Sequence, residues 1–249
     1  MNFSVLKTEL VDVLSFASKA VPVRSTLPIL SCAFFDIKKE VVEIRATDLE
    51  VHIKATIKTE SDFEGQLCIS INKLLEIATV LSDENICFEV LKTNKLKIKS
   101  IHGEYSIMGS DTSDFPSKPS IQNEKILQFK ESELEEIINQ TVYATSRDDL
   151  KPALQGVGVF LKENTISAVA TDGHRLVKYQ THNPQTNQED FSVVIPLKFL
   201  KILQSKLNKK QETELHLSEN HVKIIINNTT IITRIIKEKL PDYESVIPK

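Results

Sequence analysis

Thr171, Asp172, Gly173, His174 and Arg175 place a carboxylate, an imidazole and a guanidinium within one turn's length of chain. An Asp beside a His can serve as an acid–base pair or supply two metal ligands, so a hydrolase using Asp172 and His174 is one reading. Part of the segment occurs twice. Ala46, Thr47 and Asp48 match Ala170, Thr171 and Asp172 about 125 residues later, and Pro116 of DFP is answered by Pro241 of LPDY at nearly the same spacing. The first copy continues with Leu49 and Glu50, without the glycine and the histidine. A Thr and an Asp that recur while their neighbours change read as the end of a strand, with the carboxylate holding turn amides. Gly173 and His174, which differ between copies, are then the candidate functional part.

Other catalytic patterns are weak. There is no GxxxxGK[ST] loop, GxSxG elbow, HExxH pair or CxxC, and Gly156 with Gly158 lacks the third glycine of a dinucleotide fingerprint. No cofactor and no metal are expected. Cys32, Cys68 and Cys87 are odd in number and set among apolar residues, which argues for reduced core thiols rather than disulfides or a zinc site.

The elements that must position these residues repeat as well. Amphipathic helical patterns open near Lys7, Lys73, Ser132 and Pro196, roughly 60 to 65 residues apart, each followed by about three alternating apolar runs such as VVEIRATDL and TISAVATDG. A short strand before each helix, FSVLK at the start and KILQFK before Ser132, completes a β-α-β-β-β unit. LPILSCAFFDI reads as one strand, and Ser132 with Glu135 has capping-box spacing. One such unit cannot bury both its helix face and its sheet face, so two units pack into each of two α+β domains. The division predicted is 1–120 and 121–249, with SKPSIQNEK (Ser117 to Lys125) as the linker. A chain of 249 residues with 41% apolar content suits two filled cores. No apolar run nears the roughly 20 residues that cross a bilayer, and MNFSVLKTEL has no charged-then-apolar leader, so a cytoplasmic protein without membrane contact is expected.

The net charge of −3 weighs against a protein that holds nucleic acid by affinity alone. Its distribution matters more. On the fourth helix Leu200, Leu203 and Leu207 form a core stripe, while Lys198, Lys201, Ser205, Asn208 and Lys209 share the opposite face, which could follow phosphates or simply face water.

ATDGHRL (Ala170 to Leu176), TLPIL (Thr26 to Leu30), TSRDDLKPALQGV (Thr145 to Val157) and the terminal LPDYESVIPK together resemble the bacterial β sliding clamp family, the processivity subunits of DNA polymerase III. The resemblance runs the whole chain, in order. It implies the DNA clamp fold: each domain two β-α-β-β-β units, helices on one face lining a central hole and antiparallel sheets on the other. It also implies a non-catalytic accessory subunit that encircles duplex DNA without reading sequence. A ring replaces affinity with a barrier to escape, which reconciles the function with the negative net charge.

Two sites follow from the resemblance. DNA contacts fall at Arg24, Lys73 and Lys198, and helical spacing adds Lys201. A groove for short, largely apolar peptides of the polymerase catalytic subunit, the clamp loader and repair proteins falls at Leu154, Thr171, Gly173, His174, Leu176, Pro241 and Val246. In that groove Leu154, Leu176, Pro241 and Val246 would form an apolar floor, with His174 and Thr171 as polar edges.

The chain departs from the family pattern TSxDExRxxLNGV in having Lys151 for the Arg and Gln155 for the Asn, which keeps a charge but not a bidentate fork. Ser245 stands where a basic residue is common. Family members generally carry three domains and close as head-to-tail dimers, so the resemblance makes this chain the first two domains. It is then either a fragment, expected to be monomeric, or a two-domain protomer needing three copies per ring. A repeat scaffold that never meets DNA is the remaining alternative.

Overall fold

The computed structural model describes residues 1–247 apart from 83, 92–93, 102, 163–164, 183–189 and 209–210. It divides into two compact units, Met1–Lys118 with Asn227–Thr230, and Pro119–Ile226 with Ile231–Lys249.

The first unit runs β1 (Asn2–Leu6), α1 (Lys7–Ala17), β2 (Cys32–Ile37), β3 (Val41–Thr47), β4 (Val51–Lys58), a two-residue β5 (Glu60–Ser61), β6 (Gly65–Ser70), α2 (Ile71–Val80), β7 (Asn85–Val90), β8 (Lys95–Ser100) and β9 (Gly103–Met108). The second runs β10 (Lys125–Lys130), α3 (Glu131–Thr141), β11 (Gly156–Lys162), β12 (Thr165–Thr171), β13 (Leu176–His182), β14 (Phe191–Pro196), α4 (Leu197–Gln204), β15 (Glu212–Leu217), β16 (His221–Ile226) and β17 (Thr229–Arg234).

In both units the strand that precedes a helix joins the sheet of the other module. In the first unit β1 lies beside β7, in the order β5-β1-β7-β8-β9, while β6 lies beside β2, in the order β4-β3-β2-β6. In the second, β10 joins β15, β16 and β17, and β14 joins β11, β12 and β13. Each module thus lends its first strand to its partner. The exchange fixes register through buried pairs: Phe3 lies opposite Phe88, their rings stacked at 4.7 Å, and Phe129 in β10 lies opposite the buried Thr213.

Each helix buries one stripe. Leu10, Val13, Leu14 and Ala17 of α1 recur at helical spacing and are buried, as are Ile71, Leu74 and Ala78 of α2. Helix α1 packs on α2 and α3 on α4. The Lys7 ammonium caps the C-terminus of α2 by donating to the carbonyls of Thr79 and Leu81. Gln204 of α4 donates to Asn139 of α3 at 2.6 Å.

The helix starts differ from the capping expectation. Ser132 and Glu135 form no box; α3 begins at Glu131, and the Glu133 carboxylate accepts the Lys130 N–H at 3.0 Å. The first N–H groups of α1, α3 and α4 go instead to distant carbonyls: Lys7 to Glu84 at 2.8 Å, Glu131 to Gln211 at 2.9 Å and Leu197 to Gln155 at 3.1 Å. Backbone from the other module therefore does what cap side chains usually do.

Three further expectations are corrected. The stretch beginning at Leu27 is not one strand, because Pro28–Ser31 forms a 3-10 turn and β2 begins at Cys32. Cys32 and Cys68 are buried, with the Cys68 thiol pushed up to about 12 by burial, but Cys87 is exposed: β7 turns Ile86 and Phe88 inward and the residue between them outward. Helix α4 ends at Gln204, so Asn208 lies beyond it and donates its N–H to the buried Glu131 carboxylate at 2.9 Å, while Lys209 lies outside the described residues. The buried side of α4 also includes Phe199 and Ile202. Gly156 serves packing rather than phosphate binding, since a Cβ there would meet the Ile195 carbonyl oxygen at 2.5 Å.

Candidate functional site

The turn from Thr171 to Arg175 joins β12 to β13 and is closed by its own side chains. Thr171 Oγ1 donates to the Arg175 carbonyl at 2.7 Å and accepts the Gly173 N–H at 3.0 Å. Asp172 Oδ1 accepts the N–H groups of His174 at 2.9 Å and Arg175 at 3.0 Å, and Oδ2 takes Arg175 Nε at 3.0 Å. The first unit builds the same turn between β3 and β4. Thr47 Oγ1 donates to the Val51 carbonyl at 2.8 Å and accepts the Leu49 N–H at 2.9 Å, and Asp48 Oδ1 accepts Glu50 and Val51 N–H groups at 3.0 and 2.7 Å. The recurring Thr and Asp are strand-end residues in both copies.

This geometry bears on chemistry. The amides of His174 and Arg175, with the Arg175 guanidinium, hold the Asp172 carboxyl below its usual range. Its lone pairs are taken up by the turn, and it accepts the His174 backbone N–H rather than orienting the imidazole. No group of three or more potential metal ligands occurs among the described residues.

Gly173 has φ of +93°, and the position opens to empty space. Its side of the turn projects His174 into solvent. Leu176, opposite Thr171 across the β12–β13 ladder, is half-buried. Leu154 is buried at the end of the 3-10 turn Pro152–Leu154, and its carbonyl accepts the Ser146 N–H at 2.8 Å. Pro241 and Val246 lie exposed on the segment after β17, which is anchored by Tyr243 against Phe160 at 5.2 Å and by Lys178 over the Tyr243 ring at 5.6 Å.

The four cations expected at DNA are all exposed. Arg24 sits in the loop before the Pro28 turn, where Ser25 Oγ accepts the Leu27 N–H at 2.9 Å. Lys73 stands on α2 and Lys198 and Lys201 on α4, each away from its helix's buried stripe.

A recess of about 520 Å³ opens in the second unit between the end of α3, the loop 145–151, the 171–175 turn and α4. Tyr143, Arg147, Lys151, His174, Arg175 and Lys201 are among its lining. Of the residues expected in the docking groove only His174 lines it, so His174 and Lys201, assigned by sequence to different sites, share one recess. Arg147 and Tyr143 were missed by sequence reasoning. The signal for Arg147 was TSRDDLKPALQGV, which also contains the departure at Gln155: this amide donates to Asp149 at 2.7 Å and stiffens the loop.

The description of the DNA polymerase III beta subunit N-terminal domain matches residues 1–119, and that of its central domain residues 128–242. The chain is 25% identical over 251 residues to the beta sliding clamp of Pseudomonas putida, covering all of this chain and 68% of that protein. It is 29% identical over 246 residues to the beta sliding clamp of Rickettsia felis, covering 96% of this chain and 64% of the relative. Among solved structures, the DNA polymerase sliding clamp of Bacillus subtilis superposes with a TM-score of 0.95 at 26% identity, over the whole chain and 68% of that protein. The beta subunit of Thermotoga maritima superposes with a TM-score of 0.88 at 27% identity, with the same coverage.

Proposed function

The chain belongs to the DNA polymerase III beta subunit family, and on that premise we propose that its two units act as the first and second domains of a sliding clamp, divided at 1–120 and 121–249. The reading is that of a non-catalytic processivity factor of the cytoplasm. It surrounds duplex DNA as part of a head-to-tail homo-oligomeric ring and tethers the replicative polymerase and other proteins through short linear peptides.

The observation that carries this reading is the matched design of α2 and α4. Each turns a dense apolar stripe into its unit and sets lysines on the outward side, Lys73 on one and Lys198 with Lys201 on the other. The outward side of α2 also exposes Asn72 and Glu76, so the positive charge of the pair is modest and lies mainly on α4, which suits loose, sequence-independent contact with a duplex. Arg24 adds a cation on a loop. Retention on nicked circular DNA, with release when the circle is linearised, tests the topological hold for the assembled ring.

Docking is assigned to Thr171, Gly173, His174 and Leu176, with Leu154, Pro241 and Val246 around them. The support is that one hairpin end presents an open glycine, an exposed imidazole and a half-buried leucine on a turn rigidified by Asp172. A peptide groove of this kind gives affinity near the micromolar range, about −8 kcal/mol. Loss of peptide binding in a folded Leu176→Asp variant tests it.

A further inference from the structure

We infer that Phe160, Lys178 and Tyr243 are positioning residues for peptide docking: together they carry the segment after β17 across the second unit's four-stranded sheet and set Pro241 and Val246 beside the strand that bears Leu176. This role deepens the docking reading above and rests on it.

The segment follows one row of side chains. Val194, Gly158, Val169 and Lys178 lie opposite one another across β14, β11, β12 and β13, and so share one face of the sheet. Ile236 bridges Val194 at the β14 edge, its N–H bonding the Val194 carbonyl at 3.0 Å. Leu240 comes next, close over Gly158, where a Cβ would meet Leu240 Cδ2 at 3.3 Å. Tyr243 then tilts against Phe160 at 5.2 Å, while the Lys178 ammonium lies 5.6 Å from the centre of the Tyr243 ring and 3.7 Å from the Glu244 carboxylate. Leu176 stands two residues before Lys178 on β13 and therefore belongs to the same face. The segment thus ends its crossing at the docking strand. A 3-10 turn over Glu244–Val246 follows, with Asp242 Oδ1 accepting the Glu244 N–H at 3.2 Å and the Asp242 carbonyl accepting the Ser245 hydroxyl at 2.9 Å.

The first unit shows which part of this arrangement is particular to the second. There the row is Cys68, Phe34, Arg45 and Lys54 on β6, β2, β3 and β4. Ser110 bridges Cys68 as Ile236 bridges Val194, and Phe115 packs on Phe34 at 5.2 Å, one residue before Pro116 as Leu240 stands one residue before Pro241. Beyond that point the copies part. Asp36 is the fifth residue of β2, as Phe160 is of β11, and it accepts Gln66 Nε2 at 3.3 Å. Lys54, at the place of Lys178 on its strand, pairs with Glu43 at 3.4 Å. Covering the sheet takes only the first two contacts in the first unit. The Phe160–Tyr243–Lys178 cluster belongs to the unit that carries Gly173 and His174, which ties it to docking rather than to folding alone. A tilted aromatic pair with a cation over one ring holds exposed chain in one place, and a wall set in advance loses little entropy when a ligand meets it.

The test is fluorescence anisotropy of a fluorescein-labelled peptide with a leucine–phenylalanine core, titrated with the full chain. Tyr243→Ala should weaken binding about three- to tenfold, as expected for loss of one aromatic cluster, and Tyr243→Phe should retain it. Coupling is the readout that a purely structural role would not move. In a Pro241→Ala/Val246→Ala background, Tyr243→Ala should weaken the peptide no further, because its effect runs through those two residues. Unchanged affinity in Tyr243→Ala overturns the inference, and so does an equal further loss in that background. A peptide that does not bind the unchanged chain overturns the docking reading instead. Amide hydrogen exchange at residues 244–247 then decides the anchor: faster exchange in Tyr243→Ala upholds it, and unchanged exchange overturns it.

Discussion

Leu49 and Gly173 occupy the same step of two turns that share one hydrogen-bond pattern, and both adopt left-handed backbone, with φ of 79° and 93°. Only one of them is the residue that accepts this conformation without strain. Gly173→Ala should cost about 1 kcal/mol, read from the urea midpoint at unchanged slope, because no atom obstructs the added Cβ and the penalty is conformational. Leu49→Gly should be near neutral, relief of strain being offset by lost burial and a more flexible unfolded chain.

Asp172 titrates below its usual value of 3.8 because two amides and Arg175 favour its charged form. A depressed acid stabilises above its unfolded pKa and ceases to do so as pH falls through the folded one. Side-chain carboxyl NMR should therefore place the Asp172 midpoint below 3.8, and the 171–175 turn should lose amide protection only in that acidic window. In Asp172→Asn the Arg175 contact should weaken and the pH dependence disappear.

Glu124, at the entry to β10, accepts Lys223 Nζ at 2.6 and 2.8 Å and meets His216 Nδ1 at 2.6 Å. Lys223, before His216, holds its carboxyl below the usual 4.5. By the same sign, this cluster's contribution is present above pH 4.5 and fades as acid protonates Glu124. Lys223→Met should lower stability by about 1 kcal/mol near neutral pH and by less in acid, which chemical denaturation at two pH values checks.

Phe88→Ala removes the fully buried ring that stacks on Phe3 across the exchanged strand. A loss of about 4 kcal/mol is expected. Because β1 and β7 come from different modules, hydrogen exchange should show strand β1 and its neighbour β7 losing protection together.

Periodicity made much of this fold legible. Amphipathic stripes located the four helices to within a few residues of Lys7, Ile71, Glu131 and Leu197, and alternation marked most strands. Even the outward face of Cys87 follows from its apolar neighbours Ile86 and Phe88, had parity been applied. What sequence could not show is what arises across distance. The pairing of β1 with β7, and the Gln211 carbonyl that replaces a cap for α3, depend on chain about eighty residues away, and β6 pairs with β2 across the intervening strands β3 to β5. The recess beside His174 is assembled from four segments, so Lys201 was readable as a surface lysine but not as a neighbour of the imidazole. The capping box at Ser132 failed because a buried Glu131 starts the helix one residue earlier.

The lending of strands has a consequence for synthesis. As the chain leaves the ribosome, Asn2–Leu6 has only the two residues Glu60–Ser61 to pair with until Asn85–Val90 has been made, so its full ladder forms late. The polypeptide must therefore mature in whole-domain steps, each delayed by distant pairing and each leaving an open, adhesive ribbon while elongation proceeds.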